Sequence, residues 1–155
     1  KDINITHVYL NKESIIKKYF QDYHSPRVVI LAGSEKDDKF VGKIKDELKK
    51  NNIYHEHFIA SAHKQPKVVS NIIEKYNNIN IKMIYVAVAG RSNALGGVLG
   101  ANSKYPVISC PPFKDKIDMM VNLQSSLQCP SNVPVATILD TGNLVSFINK
   151  MFTML

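Results

Sequence analysis

Four short stretches of this chain carry residue types that can hold an anion and move a proton. Gly33-Ser34-Glu35-Lys36-Asp37 offers a hydroxyl and a carboxylate, and Ser61-Ala62-His63-Lys64 a hydroxyl, an imidazole and an ammonium. Gly90-Arg91-Ser92-Asn93 adds a guanidinium, another hydroxyl and an amide, and Cys110-Pro111-Pro112 places a thiol in a stiff loop. Serine hydroxyls, a lysine and helix N-termini suit a phosphate. An aspartate suits ribose hydroxyls, and an imidazole exchanges protons near neutral pH. The spacing reads as a site for a phosphorylated small molecule with one histidine acid/base.

Each stretch also has a plainer reading. Gly33-Ser34 can be a strand-to-helix turn, Ser61 or His63 a helix cap, and Arg91 half of a surface ion pair. Cys110 before two prolines reads as a buried small hydrophobe rather than a nucleophile. The Gly33 stretch is neither a P-loop, because no Gly-Lys-Ser/Thr follows at the needed spacing, nor a dinucleotide fingerprint, which requires three glycines.

These loops can act together only if they open on one rim, and the runs between them say how. Arg27–Ala32 and Met83–Val88 are short apolar bursts rich in β-branched residues, the pattern of strands buried on both faces. Val107–Ser109 and Val135–Leu139 read as further strands. Tyr54–Ile59 is a more polar one, suited to an edge. His55 and His57 share one face of it by the period of two, but no third metal ligand lies nearby in sequence.

Helical spacing of apolar residues predicts helices between the strands. Phe40, Val41, Ile44 and Leu48 mark one. Lys67–Tyr76 is a second, with Pro66 suited to its first turn, and Leu95–Ser103 a third. Lys116–Leu127 is a fourth, with Ile117, Met120, Val121 and Leu127 expected to face inward. Leu144–Phe152 is a fifth, capped from Asp140-Thr141-Gly142-Asn143. A leading helix is expected over Lys12–Tyr23, ended by His24-Ser25-Pro26. Strands alternating with helices predict a three-layer α/β/α sandwich, flavodoxin-like, with a parallel five-stranded sheet in the order 2-1-3-4-5.

The bulk composition agrees. At 155 residues and 45% hydrophobic the chain suits one domain with a real core. No apolar run is long enough to span a membrane, and two cysteines are too few for a disulfide framework, so a cytoplasmic protein is expected. A net charge of +7 raises nucleic acid as a partner, but only Arg27 and Arg91 among 20 basic residues are arginine. No aromatic-basic interleaving accompanies them.

Five motifs in order say more: Gly33-Ser34-x-x-Asp37, Ser61-Ala62-His63-Lys64-x-Pro66, Ala89-Gly90-Arg91-Ser92-Asn93-x-Leu95-Gly96, Pro106 through Pro112, and Ser125-Ser126-Leu127-x-x-Pro130-Ser131. Together, over roughly Arg27 to Phe152, they resemble phosphoribosylaminoimidazole carboxylase, the AIR carboxylase family of purine biosynthesis. One class of that family is a mutase of N5-carboxyaminoimidazole ribonucleotide, with Gly-Gly-Ala-Ala-His-Leu-Pro-Gly where this chain has Ala-Gly-Arg-Ser-Asn-Ala-Leu-Gly. The missing histidine, and Lys64 in place of an arginine, make the chain similar to the second class. That class carboxylates aminoimidazole ribonucleotide (AIR) directly with CO2, and in animals it follows a SAICAR synthetase domain.

The resemblance implies roles residue by residue. Gly33, Ser34, Ser61, Ala62 and Lys64 would hold the substrate phosphate end, Asp37 the ribose, and Gly90, Arg91, Ser92 and Asn93 would wall the CO2 and imidazole pocket. His63 would be the acid/base, with no ATP, biotin, metal or other cofactor taking part. It further implies a homo-octamer. Residues 1–26 are expected to be a linker or the end of an upstream SAICAR synthetase domain, and 27–155 the carboxylase domain. Two departures stand out: Lys36 replaces a usual serine, and Asn132 a usual glycine, asparagine being the other residue that tolerates positive φ. A mutase, and more distantly a non-catalytic nucleotide-binding module, are the alternative readings.

Overall fold

Arg27–Ala32 (β1) and Met83–Val88 (β3) have every residue buried in the computed structural model, which describes residues 25–154. They pair in parallel, from Arg27 opposite Met83 to Ala32 opposite Val88. Tyr54–Ile59 (β2) flanks β1 on the outside, and Val107–Ser109 (β4) and Ala136–Thr137 (β5) extend the sheet beyond β3. All pairs are parallel and the order is β2-β1-β3-β4-β5, as expected. Among the described residues there are five α-helices: Asp38–Lys50 (α1), Pro66–Asn77 (α2), Ala94–Asn102 (α3), Lys116–Leu127 (α4) and Thr141–Met154 (α5). The helix expected at Lys12–Tyr23 lies outside the described residues.

Alternation along β1 divides the core. Val28, Ile30 and Ala32 face α1, through Val41, Ile44 and Leu48, and α5, through Leu144, Val145 and Ile148. Val29 and Leu31 face the other way, toward Val69, Ile73 and Tyr76 of α2 and Leu95 and Leu99 of α3. Each fully buried aliphatic side chain contributes about 1.5–3 kcal/mol, so these two layers hold the sandwich and fix the ends of β1, β2 and β3 on one rim.

The edge position of β2 explains its polarity. Glu56 accepts from the Arg27 guanidinium at 3.0 Å, and that guanidinium stacks 5.0 Å from the Tyr54 ring centroid. His57 Nδ1 accepts from the Lys45 ammonium at 2.9 Å, whereas His55 Nδ1 lies 3.2 Å from the Ile53 carbonyl oxygen. The two histidines therefore serve separate partners. Burial, and then the Lys45 charge, lower the His57 pKa below its usual value. Folded protein thus keeps His57 neutral while the unfolded chain takes up a proton below about pH 6.5. The unfolded state binds more protons there, so stability rises with pH across that window and is lost on acidification. His57→Gln, which keeps an acceptor for Lys45, should flatten the slope of unfolding free energy with pH below about pH 6.5. Urea melts at several pH values would show it, and an unchanged slope would remove His57 as its source.

Two sequence expectations are corrected here. Strand β5 spans only Ala136–Thr137, not Val135–Leu139. Its sole neighbour β4 is three residues long, stopped by Pro111 and Pro112, which have no N–H to donate. The second correction concerns α4. Ile117, Met120, Val121 and Leu127 are exposed at 79%, 53%, 48% and 62%, and the residues it buries are Asn122 and Ser126. The helix has the expected span and is capped by Asp115, whose carboxylate accepts the N–H groups of Ile117 and Asp118 at 2.9 Å. It packs at the sheet edge beside β5 and α3 and against the Arg91–Asn93 loop, whose polar groups meet its polar stripe. Asn132 adopts φ 66°, the left-handed conformation expected of it. No helix among the described residues is long and apolar enough to cross a membrane.

Candidate active site

The ends of β1, β2 and β3 deliver three loops to one small cleft of about 150 Å³, open to solvent. After β1, Gly33 donates its N–H to the Val88 carbonyl at 2.9 Å, tying the turn to the end of β3. Ser34 is extended and caps a short 3-10 turn over Glu35–Asp37, its Oγ accepting the Lys36 N–H at 3.2 Å. Lys36, the departure from the family pattern, is exposed. Asp37 faces the cleft. Burial, and then the neighbouring Asp38 charge, raise its carboxyl pKa above the usual value.

After β2, Ala60 donates its N–H to the Ala32 carbonyl at 2.9 Å, keeping the second loop beside the first. Ser61 and Gln65 brace that loop. Gln65 N–H donates to the Ser61 carbonyl at 2.8 Å, Ser61 N–H to Gln65 Oε1 at 3.3 Å, and Lys64 N–H to Ser61 Oγ at 3.3 Å. Ser34 thus shapes a strand-to-helix turn, as its plainer reading had it, whereas Ser61 braces its own loop and does not cap α2, whose N-cap is Gln65. Both serines also line the cleft. Each uses its oxygen as an acceptor, which leaves its O–H to donate to a ligand. Proline at the first position of α2, Pro66, then starts the helix. His63 lines the cleft from this loop and is exposed.

The third loop, Ala89 to Ser92, closes the cleft opposite, with Leu95 behind it. Ser92 is held at φ 55°, a conformation uncommon outside glycine, asparagine and aspartate and enriched at functional sites. Backbone bonds hold the turn from α4: Arg91 N–H donates to Asn122 Oδ1 at 2.9 Å, and Asn93 N–H to Ser125 Oγ at 2.6 Å.

The cleft thus gathers Gly33, Ser34, Asp37, Ser61, Ala62, His63, Gly90, Arg91 and Ser92 from the residues singled out by sequence. Lys64 is exposed beside the cleft but does not line it. Asn93 is 6% exposed and points into the protein. Its Nδ2 donates to Ser109 Oγ at 3.1 Å and Ser126 Oγ at 3.0 Å, and its Oδ1 caps α3 by accepting the Gly96 N–H at 3.1 Å. Cys110 is buried, and burial together with the Asp140 charge pushes its thiol up to about 12, which suits a small core residue and not a nucleophile. Sequence reasoning assigned no part to Asn122, Ser125 or Ser126. Their signal was a polar stripe at i, i+3 and i+4 of one helix. The gathered groups can hold a phosphate, bind hydroxyls and exchange one proton through His63.

Comparison with known proteins places relatives around this geometry. A family model described as AIR carboxylase matches residues 27–147. The chain is 36% identical over 137 residues to the phosphoribosylaminoimidazole carboxylase of Archaeoglobus fulgidus, covering 88% of this chain and 74% of that protein. It is 42% identical over 112 residues to the bifunctional phosphoribosylaminoimidazole carboxylase/phosphoribosylaminoimidazole succinocarboxamide synthetase of Drosophila melanogaster. That match covers 72% of this chain but spans about a quarter (26%) of the fly protein. The crystal structure of Treponema denticola PurE is similar with a TM-score of 0.77 and 34% identity, over 83% of this chain and 81% of that one.

Proposed function

The chain belongs to the AIR carboxylase family, enzymes of purine biosynthesis, and from that premise we propose that it carboxylates AIR directly with CO2. The observation that carries this reading is His63, on a braced loop, lining one cleft with the Gly90-Arg91-Ser92 turn. Asn93, directly after that turn, stands where the mutase class has its loop histidine, and Arg91-Ser92 where it has two alanines, which favours the direct carboxylase.

In this reading the hydroxyls of Ser34 and Ser61 hold the phosphate, with Gly33 and Ala62 letting the backbone approach. Lys64 reaches in from the rim on its flexible four-carbon stem. Asp37 accepts from the ribose hydroxyls. Gly90, Arg91 and Ser92 wall the imidazole and CO2, with Asn93 fixing that wall from behind. The aminoimidazole is an electron-rich enamine, so its C4 uses its own electron pair to form the new bond to CO2. The adduct still carries a proton on C4. His63 removes it, the ring regains aromaticity, and 4-carboxyaminoimidazole ribonucleotide is left. Electrons and atoms balance without ATP, biotin or a protein nucleophile, and holding the two reactants together in the cleft supplies much of the rate.

The test incubates purified protein with AIR and bicarbonate-buffered CO2, without ATP, and in parallel with the N5-carboxylated isomer. Product from CO2 supports the direct reaction. Product from the isomer alone would make the protein a mutase. Tight DNA or RNA binding that falls steeply with salt, with neither substrate turned over, would favour the non-catalytic module.

The same reading takes the enzyme as a cytoplasmic homo-octamer, with residues 1–26 as a linker or the end of an upstream SAICAR synthetase domain. The exposed Ile117, Met120 and Leu127 of α4 support a subunit contact. Sedimentation of the same sample should give an eightfold mass, and a monomer at micromolar concentration would sink that part. The mass of the native polypeptide tests the fusion.

A further inference from the structure

Helix α4 buries an amide where its sequence offers several apolar side chains. Asn122 is 3% exposed, and a buried amide is costly unless both of its ends find partners. Both do. Its Oδ1 accepts the Arg91 N–H at 2.9 Å, and its Nδ2 donates to the Pro112 carbonyl at 2.7 Å. One side chain therefore clamps the cleft loop after β3 to the loop after β4. Ser125, one turn along on the same stripe, takes the Asn93 N–H. The two N–H groups flanking Ser92 are thus both tied to α4, and Ser92 between them keeps its positive φ. A cleft wall in that conformation needs such outside support, because the conformation is intrinsically disfavoured for serine. Gly90 packs on the same amide: a Cβ placed there would sit 3.5 Å from Asn122 Nδ2.

From this geometry we infer that Asn122 is a positioning residue of the cleft, holding the Gly90–Ser92 wall in register with the phosphate-side loops. The inference rests on the proposed carboxylase reading. Its physical part, the clamp on the wall, can be measured without any turnover.

The experiment compares wild type with Asn122→Ala and Asn122→Asp, using Asn149→Ala, in an exposed contact with Asn51 on the far side, as the control. Two readouts are taken, amide hydrogen exchange across residues 90–93 and the separate kcat and KM for AIR. Asn122→Ala should speed exchange at Arg91 by about tenfold or more and lower kcat by about tenfold to a hundredfold, the cost of misplacing a positioned wall. KM should move less than about threefold, because phosphate and ribose contacts come from other loops. Asn122→Asp keeps the acceptor for Arg91 N–H but sets a carboxylate against the Pro112 carbonyl. It should fall between wild type and Asn122→Ala in both readouts, and it carries the test should Asn122→Ala fail to fold. Exchange at Arg91 equal to wild type, or kcat equal to wild type in a variant whose wall has loosened, overturns the inference. A wild type inert toward AIR overturns the proposed reaction instead, and the exchange result then decides the inference alone.

Discussion

His63→Asn is expected to abolish turnover while leaving the fold intact. A positioned acid/base contributes about 10²–10⁴-fold, and among the described residues no imidazole but His63 lines the cleft, so in the proposed reaction none replaces it. Asparagine keeps the size and polarity of the side chain but cannot exchange a proton. The substitution should also be silent in stability. His63 is exposed, and its loop is braced by hydrogen bonds between Ser61, Lys64 and Gln65 that do not use the imidazole. A surface change of this kind stays within about 0.5 kcal/mol. Initial rates beside a thermal melt check both halves. Activity within a few-fold of wild type would reject His63 as the acid/base, and a large fall in Tm would mean that the loop depends on it structurally.

Gly96→Ala is expected to destabilise the fold, against its intrinsic propensity. Alanine is favoured over glycine in a helix interior by about 1 kcal/mol. At Gly96, however, a Cβ would sit 2.4 Å from Ser109 Oγ and 3.5 Å from the Asn93 amide. Ser109 is completely buried on strand β4 and holds the Asn93 amide at 3.1 Å, so it has little room to withdraw. Overpacking of a rigid site costs about 1–3 kcal/mol, which for a chain of this size lowers Tm by roughly 2–12 °C. Activity should fall with it, since Asn93 anchors the loop that walls the cleft. Gly97→Ala is the matched control, because nothing lies within 4 Å of a Cβ there and propensity alone predicts equal or higher stability. Equal melting of the two variants would show that α3 is not packed this closely on β4.

Gly96 abuts a network that joins elements far apart in the chain. Asn93, Ser109, Ser126 and Asn122 come from a loop, a strand and a helix, and each is less than a tenth exposed. Its bonds to the Arg91 N–H and around the Asn93 amide serve the cleft wall and the cap of α3. The outer face of α4, with Ile117 79% exposed, is the opposite case: apolar surface that one chain leaves uncovered.

Much of the architecture was legible in the residues. The bursts Arg27–Ala32 and Met83–Val88 could be hidden only inside a parallel sheet, and the polar Tyr54–Ile59 only at its edge. Glycine, serine and histidine at the strand ends marked the rim, and the match of five motifs pointed to a family. Asn132 declared its left-handed turn by type. These features are local or rest on a period of two or 3.6, and such patterns survive whatever the rest of the chain does.

Tertiary structure decided what those patterns could not. Apolar periodicity in α4 identified a helix but not its orientation, because periodicity says that a face is apolar and not what lies opposite it. The helix turned its polar stripe inward because the Gly90–Asn93 turn, some 30 residues away in sequence, presents N–H groups that have to be paired. For the same reason Asn93 faces the protein rather than the cleft, and Asn122 became the clamp of the site. The cost of a buried unpaired polar group depends on which segments meet, and only the folded chain brings them together.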